Sequence, residues 1–237
     1  MESAPRDPIR FSIDGRTVEA TPGQTVLAAA DAAGVHIPRL CFLAGLSPHG
    51  SCRVCIVRAN GRLDTSCTLP ATEGMEVESE TEEINQLRRD LVDMLFVEGN
   101  HICPSCEKSG DCELQGVAYG LGITAPKYPY QFPRRGTDAS HADIFLDLNR
   151  CILCARCVQT SRDLDGKSIF GFVGRGPKKK LTIRAGARLV DTDLDLTDEV
   201  IRSCPTGTIL KKRVGFATPI GRRRYDQSPE PNPEGTM

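Results

Sequence analysis

The chain carries 11 cysteines in 237 residues, and they fall into three groups. Thiolates are strongly donating, soft ligands, so clustered cysteines point to metal chemistry. The first group is Cys41, Cys52, Cys55 and Cys67, with ten, two and eleven residues between successive members. A C-x2-C pair wraps one metal in a short loop, and the two outlying cysteines arrive from separate loops. Four thiolates so arranged satisfy two sulfide-bridged irons or, alternatively, one tetrahedral zinc. Gly45, Gly50 and Ser51 nearby let backbone N–H groups approach the sulfurs, which favours an electron-rich cluster.

The second group is His101, Cys103, Cys106 and Cys112. Three cysteines leave one iron of a four-iron cubane without a thiolate. The His101 imidazole, Asp111 or water completes it, or the cluster holds three irons. The third group is Cys151, Cys154 and Cys157, with Cys204-Pro205 distant in sequence. Two successive C-x2-C steps are the run of bacterial ferredoxins, and three such cysteines fit the corners of one cubane. The groups use four, three and four cysteines and leave none over. One two-iron and two four-iron clusters amount to about ten irons.

Bulk properties narrow the function classes. The net charge of −1 gives no basis for broad binding to nucleic acid or anionic membrane. The short basic runs 178–180 and 222–224 read as solvated faces. The N-terminus is polar, with no leader-like apolar core, and no run reaches the roughly 18 apolar residues of a membrane span. A cytoplasmic location is therefore expected, where clustered cysteines serve as ligands, not disulfides. Tryptophan is absent and aromatics are 5%, so small domains lack the rings that usually supply core area. The stretch 171–176 (GFVGRG) lacks the spacing and the preceding parallel strand of a dinucleotide site and reads as a loop.

The elements that must position these ligands follow from the pattern. Residues 9–13 and 16–20 alternate apolar and polar about Asp14-Gly15, a hairpin signal. A short helix is predicted over 25–33, ended by Gly34. A strand over 55–58, a turn at Asn60-Gly61 and a last strand at 75–77 complete a β-grasp pattern ending near residue 78. Residues 79–96 read as a helix with a Ser79/Glu82 capping box and an apolar face of Ile84, Leu87, Leu91 and Leu95. Residues 116–136 read as an irregular crossing segment. A third region begins at 142–148 and has a glycine- and lysine-rich insert over 171–180 and a hairpin over 181–190. The expected division is α+β throughout: a β-grasp domain over 1–78, a helical domain over 79–140, a third domain over 141–214 and an irregular tail over 215–237.

Three segments carry a family resemblance: 45–55 (GLSPHGSCRVC), 99–115 (GNHICPSCEKSGDCELQ) and 150–157 (RCILCARC). In this order they resemble the N-terminal part of the large iron–sulfur subunit of respiratory complex I. They are still more similar to the small diaphorase subunit of cytoplasmic NAD-reducing [NiFe] hydrogenases. Only Ile102 separates His101 from Cys103, as in the hydrogenase form; the complex I form leaves three residues there. The end of the chain at Met237, with no long molybdopterin-type or hydrogen-activating domain, points the same way.

The resemblance implies a [2Fe–2S] β-grasp ferredoxin-like domain, a His-Cys [4Fe–4S] domain and a ferredoxin-like [4Fe–4S] domain. It assigns Cys41, Cys52, Cys55 and Cys67 to the first cluster. His101, Cys103, Cys106 and Cys112 go to the second, and Cys151, Cys154, Cys157 and Cys204 to the third. The implied role is a relay of single electrons between an FMN- and NAD(H)-binding flavoprotein and a hydrogenase small subunit, within a hetero-oligomer. No catalytic residue and no nucleotide or flavin site is expected on the chain itself. Equivalent relays serve complex I-like NADH dehydrogenases and NAD-dependent formate dehydrogenases. A purely structural role for the clusters is the remaining alternative.

Overall fold

The computed structural model describes residues 7–226; the last part of the expected tail, 227–237, lies outside the described residues. Strands β1 (Ile9–Ile13) and β2 (Arg16–Ala20) form the expected hairpin. Asp14 and Gly15 both take positive φ, as a turn matching the twist of the strands requires. Helix α1 (Val26–Ala32) starts where the Thr25 hydroxyl accepts the Ala28 N–H at 3.3 Å. Gly34, at φ +67°, turns the chain so that the Val35 N–H closes on the Ala30 carbonyl.

Strands β3 (Ile56–Ala59) and β4 (Arg62–Thr65) turn at Asn60-Gly61. Strand β5 (Glu76–Glu78) then enters between β1, to which it is parallel, and β3. The sheet order β2-β1-β5-β3-β4 is a β-grasp. Its core packs Ile13, Val18, Leu27, Ile37, Val57 and Val77 around Cys55 and Cys67.

Helix α2 (Glu82–Glu98) begins later than the pattern suggests. Thr81 is its cap, and Ser79 is not: the Ser79 N–H is held by Asp14, and its hydroxyl accepts from Arg88. The buried face is also rotated. It runs Ile84, Arg88, Val92 and Phe96, with Asp93 and Val97 beside it, while Leu87, Leu91 and Leu95 are half-buried. Counting apolar residues alone misplaces this face because its central member is an arginine. Arg88 is fully buried and donates to the Ile56 carbonyl, the Ser79 hydroxyl, Asn85 and Glu80.

A further helix, α3 (Glu113–Gly120), occupies sequence read as loop and crossing segment. Gly116 lies within the helix, with the Tyr225 ring packed on it; a Cβ there would meet that ring at 2.5 Å. The described part of the tail is thus without helix or strand but is packed, with Tyr225 buried.

Strands β6 (Thr137–Asp138) and β7 (Ile144–Asp147) open the third region, and helix α4 (Arg156–Asp163) follows the cysteine run. The hairpin here pairs β8 (Phe170–Val173) with β9 (Lys180–Ile183), so it starts earlier than the expected 181–190. The glycines and lysines of the insert are its first arm and loop, and residues beyond β9 turn instead of returning. Helix α5 (Val200–Ser203) and β10 (Ile209–Lys211) finish the region, with sheet order β10-β7-β6. Ile144, Leu146, Phe170, Leu181, Leu189 and Val200 form its core. Among the described residues, no helix is long and apolar enough to cross a membrane.

The buried Arg88 yields a test. Arg88→Met keeps much of the volume but leaves the Ile56 carbonyl and the Ser79 hydroxyl without their donor. A loss of about 2–3 kcal/mol is expected, read as a lower thermal midpoint of the anaerobically purified chain. An unchanged midpoint would show that Arg88 does not hold α2 to the β-grasp sheet.

Candidate metal centres

The four cysteines of the first group meet at the edge of the β-grasp. Cys41 and Cys52 stand with their sulfurs 3.4 Å apart, and the Cys55 and Cys67 thiols lie close enough to shift their ionisation. All four are buried. The Cys41 sulfur is pulled far below the usual thiol range by the Cys52 and Cys67 thiols, with help from the Cys52 and Ser51 backbone N–H groups. Cys55 is lowered to about 7 by the Cys67 thiol. Cys52 and Cys67 are correspondingly held up. Gly50, at φ +65°, brings its backbone against Thr68, and Ser66 ties down the Cys55 carbonyl at 2.9 Å.

At the second group, His101, Cys103, Cys106 and Cys112 line one cavity with Phe96, Gln115, Arg150 and Gly207. The His101 Nε2 atom is buried and has no hydrogen-bond partner. The imidazole stands edge-on to Phe96, with ring centroids 5.6 Å apart, and crowds Gly99, where a Cβ would meet Nε2 at 2.6 Å. Burial, then Arg135 and Arg150, lower its pKa to about 4, so the ring is neutral. A neutral imidazole with an orphaned nitrogen, lining one cavity with three cysteines, fits a metal ligand. Asp111 does not line this cavity; its carboxylate, half exposed, pairs with Lys108 at 2.6 Å. The desolvated Cys112 thiol is pushed up to about 12. A bound cation would reverse that preference and favour the thiolate.

In the third group, Cys151, Cys154, Cys157 and Cys204 line another cavity, closed by Ile152, Phe172, Leu181 and Thr206. The loop between the cysteines is tight: Leu153 and Ala155 take positive φ without being glycine. The Leu153 N–H approaches the Cys151 sulfur at 3.4 Å. Burial pushes the Cys151 thiol up to about 11 and raises Cys154 and Cys157 as well. Thr206 donates to the Arg150 carbonyl, which joins this cysteine loop to an arginine of the second cavity.

The groups are not independent. Cys41 and Cys52 of the first, Cys112 of the second and Cys154 of the third lie in one apolar cluster with Leu40, Val54, Phe96, Leu114 and Ile152. Among the described residues, no three His, Cys, Asp or Glu side chains converge as a single-ion site requires. A polynuclear cluster, whose metals lie apart, does not need that convergence.

One arginine spans all three groups. Arg156 is 3% exposed; it donates to Glu113 at 2.8 Å and to the Phe42 carbonyl at 2.6 Å. Glu113 follows Cys112 and Phe42 follows Cys41, while Arg156 itself precedes Cys157. Sequence reasoning passed over Arg156, Gln115 and Gly99. The signal for Arg156 was present, since an arginine lay inside the RCILCARC ligand run.

The segments that carry this geometry match known families. Residues 6–82 match a 2Fe-2S iron-sulfur cluster binding domain, and residues 88–127 match the iron-sulfur binding region of NADH-ubiquinone oxidoreductase-G. Residues 142–210 match the ferredoxin-like domain of NADH-quinone oxidoreductase subunit 3. The gamma subunit of the NAD-reducing hydrogenase HoxS from Cupriavidus necator is 43% identical over 92% of this chain and 93% of that one.

The chain belongs to this family of hydrogenase gamma subunits. A chain in the crystal structure of an NAD+-reducing [NiFe]-hydrogenase in the H2-reduced state shares the fold. Its TM-score is 0.89 at 50% identity, over 92% of this chain and 94% of that one. Similarity extends to the mitochondrial NADH-ubiquinone oxidoreductase 78 kDa subunit of Candida albicans, 30% identical over 88% of this chain. There the chain spans only 29% of the relative. Every cysteine group falls inside a matched segment: the first within 6–82, the second within 88–127 and the third within 142–210.

Removing the Arg156 head tests how the groups are joined. Arg156→Ala leaves Glu113 and the Phe42 carbonyl without their cation and should cost about 3 kcal/mol. The drop should appear in thermal unfolding of the anaerobic protein. A midpoint equal to that of the unsubstituted chain would show that the three groups are held together without it.

Proposed function

We propose that this chain relays single electrons through one [2Fe–2S] and two [4Fe–4S] clusters, between a flavin- and NAD(H)-binding subunit and a [NiFe] hydrogenase module. The first cluster is held by Cys41, Cys52, Cys55 and Cys67. The second is held by His101, Cys103, Cys106 and Cys112, and the third by Cys151, Cys154, Cys157 and Cys204. The corresponding division of the chain is 1–78, 79–140 and 141–214, with a tail over 215–237.

The observation that carries this reading is the shared apolar cluster, in which ligand cysteines of all three groups pack together. Sites that merely stapled separate domains would not need to touch. When bound, iron–sulfur clusters accept and donate one electron at a time, whereas NADH delivers a hydride, so a flavin on a partner must stand between them. The chain's own residues exclude water from the sulfurs, fix the ligand loops and set the local charge. Arg135 donates to the Cys151 carbonyl at 2.8 Å and Arg156 to the Phe42 carbonyl, placing cations beside loops that would carry anionic clusters. The chain would contribute to the oxidoreductase as a non-catalytic subunit in the cytoplasm. The likeness to NADH-oxidising quinone reductases favours, as a second reading, the same relay in an NADH dehydrogenase.

Anaerobically purified protein should carry about ten irons and matching sulfide per chain. Stoichiometric zinc with little iron would overturn the redox reading.

The orphaned imidazole gives a sharper test. Neutral histidine in place of thiolate makes a cluster one charge less negative and easier to reduce, as in Rieske centres. His101→Cys should therefore keep four irons and lower the potential of the second cluster alone. His101→Ala should open one iron and give a three-iron signal on mild oxidation. EPR-monitored redox titration separates these outcomes. An intact second cluster at its original potential in His101→Ala would remove His101 from the ligand set.

A further inference from the structure

The tail after β10 lies on the ligand loop of the second group. Gly215 sits against Glu107, the residue after Cys106; a Cβ at 215 would meet the Glu107 Cγ at 2.8 Å. The Arg223 side chain crosses Gly110, whose missing Cβ leaves room for it: a Cβ there would meet Arg223 Nε at 2.2 Å. Arg223 Nη1 donates to the Ser109 carbonyl at 3.3 Å, and the Tyr225 N–H donates to the Gly110 carbonyl at 3.0 Å. Beyond that bond the Tyr225 ring, 4% exposed, lies on Gly116 of α3.

The segment is braced within itself. Asp226 receives two charge-assisted bonds from the Arg223 guanidinium, at 2.9 and 2.7 Å, and also the Gly221 and Arg223 backbone N–H groups. The same loop is also held by Gln115, which lines the second cavity and accepts the Gly110 N–H at 2.9 Å. The loop from Cys106 to Cys112 is therefore held both by the tail and by α3. It contributes few backbone bonds of its own, Ser109 to Cys106 and Asp111 to Lys108. A loop so built opens easily when its outer support is removed.

We propose that residues 221–226 are a clamp on the second centre, with Tyr225 and Arg223 as positioning residues that keep Cys106 and Cys112 in ligating geometry and keep water from the cluster. The inference rests on the ligand assignment of the second group above. The Tyr225 hydroxyl is buried with no hydrogen-bond partner, so the ring supplies the grip and the hydroxyl does not. That distinction makes the proposal specific: Tyr225→Phe should behave as the original chain, and Tyr225→Ala should not.

The test uses the full chain, purified anaerobically, with two readouts. Hydrogen exchange at residues 109–116 reports the clamp independently of any metal. EPR during ferricyanide treatment reports how fast each four-iron cluster degrades to a three-iron form. Tyr225→Ala should speed both exchange in this segment and loss of the second cluster by about tenfold or more, leaving the first and third clusters at their original rates. Tyr225→Phe should change neither. Faster exchange with an unchanged second cluster, or no change in either readout, would overturn the proposal. Equal acceleration at all clusters would also overturn it, by showing general unfolding. Exchange that responds in a chain whose EPR shows no second four-iron cluster would refute the ligand assignment, and the clamp's role in holding a cluster with it.

Discussion

The fold depends on where it can bury a guanidinium. Arg156 gives up water for two partners on other segments, the Glu113 carboxylate and the Phe42 carbonyl. A buried cation is tolerated only when it is paired and hydrogen-bonded, so Glu113 and the Phe42 loop must come to it. Those two residues adjoin cysteines of the second and first groups, and Arg156 adjoins one of the third. Fixing one side chain therefore fixes the mutual placement of three ligand loops. Other contacts then become possible, such as the Glu113 N–H on the Pro205 carbonyl and Asn100 on Asn149.

Arginines recur at the same kind of position. Arg88 caps the Ile56 carbonyl just after Cys55, and Arg135 caps the Cys151 carbonyl. A guanidinium can occupy a carbonyl and a second acceptor at once while bringing a permanent positive charge. Were these cysteines to bind metal as thiolates, that charge would offset the repulsion between them. It also explains how a chain with few aromatics packs: cysteines are themselves members of all three apolar clusters. The side chains that would hold metal are part of the cores, so loading the sites and consolidating the domains are coupled.

Much of this was legible in the residues. The Asp14-Gly15 and Asn60-Gly61 turns, the short helix ended by Gly34 and the late strand together spelled a β-grasp, because turn chemistry and period-2 alternation are local properties. The buried face of α2 and the helix that begins at Glu113 were less legible, and for the same reason. A local pattern scores arginine as surface and glycine as a breaker. Neither label anticipates a carbonyl 32 residues away that needs a donor, or a tyrosine ring arriving from the tail.

The sequence by itself determined the inventory of candidate ligands, eleven cysteines in groups of four, three and four with His101 beside the second, since thiol and imidazole chemistry and their spacing along the chain need no fold to be read. It also determined the order of the three modules. Only the tertiary structure decided that the groups share one apolar cluster and that Asp111 pairs with Lys108 while His101 lines the cavity with a buried, unpartnered nitrogen. It alone decided, too, that the tail grips the second loop. Each of these is a contact between residues far apart in the chain, and such contacts are selected by the need to pair or bury groups that local spacing cannot see.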